Sequence, residues 1–195
     1  MDDRLLWYTT RASGAVALIL LSAVVVLGVL TRMRVEGRGW PRFLTAAVHR
    51  DLSLISVVFV LLHVVTAVVD PFTHLGLVAA TVPFGSGYRT FWLGLGTVSF
   101  ELLLAVLVTS LMRRWIGQRV WRGVHWLAYA SWPVAVLHSI GTGTDSGSVW
   151  LIPIYAACIV AVLVAAAWRV FAPHPDPLVD ARRGATRRAS WGGES

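Results

Sequence analysis

Residues 43–69 read FLTAAVHRDLSLISVVFVLLHVVTAVV, and this stretch decides the fold. Its only formal charges are the adjacent Arg50 and Asp51, and Pro41 just ahead suits a helix start. A helix needs about 20 apolar residues to cross the hydrocarbon core of a bilayer, so this run predicts a membrane span. Four further runs of the same kind lie outward from it, at about Ala12–Leu30, Phe91–Met112, Val120–Ile140 and Val149–Phe171. The fold class is therefore all-α: an integral membrane helical bundle of about five transmembrane helices. Residues 1–172 form its membrane domain. Residues 173–195, with Arg182, Arg183, Arg187 and Arg188, are expected to be a disordered basic tail.

Composition supports this reading and excludes others. Hydrophobic residues make up 56% of the 195, charged residues 14%, and the mean hydropathy is +0.69. Soluble domains carry about a quarter charged residues. A single cysteine excludes a disulfide framework, a CxxC pair and a thiolate metal cage. All 17 basic residues are arginines. They fall between the apolar runs, where they set membrane orientation; no nucleic-acid partner is implied.

Arg32, Arg34, Arg38 and Arg42 occupy the first connection, and Arg113, Arg114, Arg119 and Arg122 the third. The second connection holds only Arg89, and the fourth has no basic residue. The positive-inside rule then puts the first and third connections and the C-terminus in the cytoplasm and the N-terminus outside. The second and fourth spans run parallel, from inside to outside.

Those two spans carry four of the six histidines: His49 and His63 on one, His125 and His138 on the other. Fourteen residues of helix rise about 21 Å and return a side chain to within roughly 40° of its starting face. Two imidazoles from facing helices, at two depths, make two bis-histidine sites, and imidazole pairs are good axial ligands for haem iron. The 13-residue interval of the second pair ends about 140° off the starting face. Pro133, inside that interval, is the expected place for a compensating change of pitch. The alternative class is a non-redox scaffold or a proton or metal transporter that uses these histidines and Glu101, a carboxyl near the middle of the third span. His74 and His174 read as solvated loop and tail residues.

The segments HRDLSLISVVFVLLHVVTAVVDPF (49–72) and WRGVHWLAYASWPVAVLHSIGTGTDSG (121–147) resemble the ferric reductase-like transmembrane domain, in particular actinobacterial-type members. Ferric reductases, NADPH oxidases and the membrane subunit of bacterial methionine sulfoxide repair systems share that domain. The resemblance covers about residues 7–170. It implies two haem b groups in the cell membrane, with His49 paired to His125 and His63 to His138 as axial ligands. The implied function is electron transfer from a cytoplasmic flavin-dependent donor to an extracytoplasmic acceptor, ferric iron or a partner redox protein. The chain departs from the pattern in having five spans rather than six, and in ending at Ser195 without a flavin and nicotinamide domain. Gly94-Leu95-Gly96 lies inside an apolar span rather than after a strand, so it is no dinucleotide fingerprint. A separate flavin reductase carrying FMN or FAD is therefore the expected donor.

Lesser candidates follow from haem chemistry. Arg50, Arg89 and Arg122 are candidates for the anionic propionates, with lipid headgroups and topology as the competing explanation for the inner ones. Trp132 and Phe59 lie between the histidines of their helices, either bridging the cofactors or serving as core. Gly14 and Gly28, also fourteen apart, either admit a porphyrin to the backbone or allow close helix contact.

Overall fold

A computed structural model describes residues 3–33, 41–71, 75–143 and 147–171. The described residues are mostly helical, with no strand among them. In chain order they are α1 (Asp3–Arg32), α2 (Arg42–Val69), α3 (Gly76–Thr81), α4 (Thr90–Leu111), α5 (Arg113–Ile116), α6 (Gln118–His125), α7 (Leu127–Thr142) and α8 (Leu151–Phe171). Helices α1, α2, α4 and α8 are each long and apolar enough to cross a membrane. They match four of the five expected spans, and the protein is a multi-pass membrane protein. His74, His174 and the basic tail lie outside the described residues.

The expected fourth span is two helices rather than one. Helix α6 ends at His125, and α7 begins two residues later. Around the junction the backbone bonds tighten: Trp126 N–H donates to Gly123 O at 3.3 Å, and Tyr129 N–H to Trp126 O at 3.0 Å. Such i→i−3 turns rotate about 120° per residue instead of 100°, which winds the chain in the direction the 13-residue interval requires. The change of pitch therefore sits at Trp126. Helix α7 continues through Pro133, where it was expected.

Two helix pairs build the bundle: α1 lies along α2, and α4 along α7, while α8 packs on α1. Small residues allow these approaches, as is usual where lipid offers no hydrophobic drive for helix association. Ser13, Ala17, Ser22, Thr97, Ser99, Ser131 and Ala165 are all buried. Two of their hydroxyls satisfy backbone across helices: Thr97 donates to Ala79 O at 2.7 Å and Ser99 to Ser131 O at 3.0 Å. Leu18, Trp132, Val136, Cys158 and Val162 form an apolar core between α1, α7 and α8. The Trp132 indole N–H donates to Ser22 Oγ at 2.9 Å within it. The outward face is apolar, with Val58, Val65, Val108, Val160 and Leu163 exposed, the pattern of a lipid-facing surface. Helices α2 and α7 make no extended contact with each other. Between them lies the site.

Candidate functional site

Helix α2 presents His49 and His63 to the gap, and α6 and α7 present His125 and His138 from the other side. The ring centres of His49 and His125 are 6.5 Å apart, and those of His63 and His138 6.2 Å. The ring planes cross at 72° and 76°. Imidazoles at this distance do not touch. Two imidazoles that share one metal ion through bonds of about 2 Å stand with ring centres roughly 6 Å apart, so both pairs fit that arrangement.

Hydrogen bonds orient three of the four rings. His49 Nδ1 lies 3.1 Å from Val24 O, His63 Nδ1 2.8 Å from Thr10 O, and His138 Nδ1 2.9 Å from Trp92 O. A carbonyl only accepts, so each Nδ1 carries the proton and each Nε2 keeps its lone pair. This is the tautomer a metal-ligating histidine needs, and the outer bond fixes the ring's direction. Thr10 and Val24 are fourteen residues apart on α1, matching the interval of the histidines they hold.

Glycines make these bonds possible. A Cβ on Gly14 would lie 2.9 Å from His63 Nδ1, and one on Gly96 2.6 Å from His138 Nδ1. Gly28 faces His49 with more room, its Cβ position 3.4 Å from His49 Cε1. Each glycine is four residues beyond the carbonyl that accepts its histidine's bond. Gly14 and Gly28 thus lie where α1 meets α2, the close helix contact that was one of their two readings, and at Gly14 the space is taken by an imidazole. Gly96 was weighed only as part of Gly94-Leu95-Gly96, because no second glycine fourteen residues along α4 marks it as a pair.

A cavity of about 250 Å³ surrounds the pair at the end away from Arg113, Arg119 and Arg122, and His63, His138, Gly14 and Gly96 line it. Arg11, Asp70 and Tyr88 supply polar lining. Arg11 was not among the expected site residues; as a cation at the sparsely basic end, it carried the same signal as Arg89. The Arg89 Nη1 donates to Gly141 O at 2.8 Å and Thr142 O at 3.2 Å, the carbonyl end of α7. Arg50 pairs with Asp51 at 3.0 Å, and both side chains are largely exposed. Arg122 is exposed, and Trp132 lies in the apolar core beside Ser22 rather than in the cavity lining. Glu101 is exposed on α4 and does not line the cavity.

The residues suit a group that brings its own equatorial ligands. Among the described residues no cluster of three or more His, Cys, Asp or Glu could close a metal site from protein atoms alone. Each histidine pair offers two opposed nitrogens and no third ligand. The wall between is apolar. The model of the family described as ferric reductase like transmembrane component matches residues 13–136. No curated protein and no solved structure matches the chain.

Proposed function

The chain belongs to the ferric reductase like transmembrane component family, and from that premise we propose that it carries single electrons across the plasma membrane through two haem b groups. His49 and His125 hold one, His63 and His138 the other. The observation that carries this reading is the paired geometry, in which opposed imidazoles stand 6.5 and 6.2 Å apart at two depths. A bound haem supplies four equatorial nitrogens and an iron that accepts and releases one electron. Held by two of this chain's imidazoles, that iron would serve electron transfer rather than oxygen binding. The carbonyls of Thr10, Val24 and Trp92 hold the rings in the required tautomer, and the apolar helices exclude water from the path. Arg11 is the chain's candidate counter-charge for a propionate at the outer level.

In this reading the basic end is cytoplasmic, by the positive-inside rule. A reduced FMN or FAD on a separate reductase gives up its two electrons one at a time, and its protons stay on the donor side. On the far side each electron converts one ferric ion to ferrous, or reduces a partner redox protein by one equivalent. The transport alternative has less support, since Glu101 lies away from the cavity. A reduced-minus-oxidised spectrum of the purified protein tests the proposal, with haem counted per chain. Two b-type haems are expected. Their absence from protein produced with ample haem overturns it.

The donor's docking surface is open to a second test. Arg113, Arg114, Arg119 and Arg122 are all exposed beside the His49–His125 pair. A contact made by exposed charges is screened over about 8 Å at physiological salt. Haem reduction by an NADH-driven flavin reductase is expected to slow several-fold between low and high ionic strength, as stopped-flow absorbance will report. A salt-independent rate removes the electrostatic docking.

A further inference from the structure

Three histidines share one mounting, and the fourth departs from it. For His49, His63 and His138, Nδ1 meets a carbonyl on a neighbouring helix, and a glycine four residues on faces the ring, closely at Gly14 and Gly96 and with ordinary clearance at Gly28. The register that brings Trp92 and Gly96 to the outer pair brings Val106 and Ser110 to the inner one, fourteen residues along α4. Ser110 therefore stands in the glycine's place, with a Cβ and a hydroxyl. Val106 O accepts the hydroxyl of Thr109 at 3.2 Å. His125 Nδ1 is buried and has no hydrogen-bond partner among the described residues.

A stack replaces the missing bond. Trp121, one turn before His125, lies against its imidazole with ring centres 4.9 Å apart and planes 27° from parallel. The Trp121 indole N–H donates to Ser110 Oγ at 3.3 Å, which ties the ring to α4. The Arg113 guanidinium also lies 4.3 Å from the Trp121 ring centre. That guanidinium is anchored by Gln118 Oε1, at 2.9 and 3.1 Å. Arg113 and His125 thus both contact the Trp121 ring.

We infer that Trp121 is the positioning residue of the inner iron ligand, setting the plane of the His125 ring by stacking where the other three rings are set by a carbonyl. The inference rests on the haem reading proposed above. The two mountings differ chemically. A carbonyl that accepts the Nδ1 proton raises the basicity of Nε2, whereas a stacked indole fixes the ring's plane and adds no such acceptor. The inner iron thus has one ligand of each kind, and the outer iron two of the same kind. This asymmetry makes the inner centre sensitive to Trp121 and leaves the outer centre indifferent to it.

The test compares Trp121→Leu, which keeps apolar bulk, with Trp121→Phe, which keeps a ring. Both are made in the full chain and purified with haem bound. The readouts are the low-spin ferric electron paramagnetic resonance signals, which respond to imidazole plane orientation, and a redox titration that resolves the two haems. The outer haem serves as the internal control for folding. In Trp121→Leu the inner signal is expected to shift or broaden and the inner midpoint to move, with the outer signal unchanged. Trp121→Phe is expected to keep the inner signal of the parent protein. A parent-like inner signal and midpoint in Trp121→Leu overturns the inference. So does an equal change in both variants, or loss of both haems in the leucine variant, since each makes Trp121 a residue of the fold rather than of the ligand. A parent protein with fewer than two haems is a separate result, which overturns the underlying reading.

Discussion

Replacing His63 or His138 by alanine is expected to leave close to one haem per chain where the parent holds two, and the haem that remains is the inner one. His49→Ala and His125→Ala are expected to give the reciprocal result. Separation of the levels is what makes the losses independent. Fourteen residues of α2 place the two sites about 21 Å apart along the helix, so neither ligand set touches the other. Each pair also has its own mounting: Thr10 O and Trp92 O serve the outer rings, Val24 O an inner one. Removing His63 leaves the His138–Trp92 bond standing, yet one axial imidazole alone leaves the iron five-coordinate. The outer haem should then be lost or become high-spin, visible in the reduced spectrum and in pyridine haemochrome counts. Full content of both haems in all four variants would sink the assignment of ligands.

Much of this architecture was legible from the apolar runs. Length and polarity place α1, α2, α4 and α8 within a few residues, except that α1 begins well before Ala12 because its first turns continue the helix beyond the apolar stretch. The family, too, was legible in the two histidine-bearing segments; the match over residues 13–136 takes in the whole of the first and the second as far as Val136. The break at Trp126 was not legible. A change of helical pitch depends on local backbone bonds, and the sequence advertised Pro133 instead. Intervals within a helix give facing only relative to that helix. For this reason the fourteen-residue repeat of the histidines could be read, while the carbonyls receiving them could not. Arg89 illustrates a second limit. Its rarity at that end marked it for an anionic ligand, and nothing in the sequence showed that its Nη1 also meets the carbonyls of Gly141 and Thr142. Which acceptor an arginine meets is a tertiary fact.

Gly96→Ala is expected to remove most of the outer haem while sparing the inner one, although it adds a single methyl group to a helix that should otherwise welcome it. Alanine is the better helix former by about 1 kcal/mol, so α4 itself gains local stability from the change. The cost falls on His138. The new Cβ would lie 2.6 Å from its Nδ1 and 3.0 Å from its Nε2, where ordinary contact begins at 3.4 Å. The imidazole must retreat by most of an ångström, and its 2.9 Å bond to Trp92 O has little length to give. Helix α4 cannot easily withdraw instead. Trp92 packs against Gly141 of α7, Gly94 against Phe84, and Thr97 is bonded to Ala79 O at 2.7 Å. The ring is therefore the part that moves, and a ligand displaced on this scale no longer faces its partner across the site. Gly14→Ala presents the same obstacle to His63 at 2.9 Å and should act in the same direction, less strongly. Gly28→Ala meets His49 only at 3.4 Å, an ordinary contact, and is expected to keep both haems. Haem content and reduced spectra of the three variants, purified under one protocol, will give this order. Equal haem content in Gly96→Ala and Gly28→Ala would mean that the close approach of imidazole to the backbone does not govern cofactor binding.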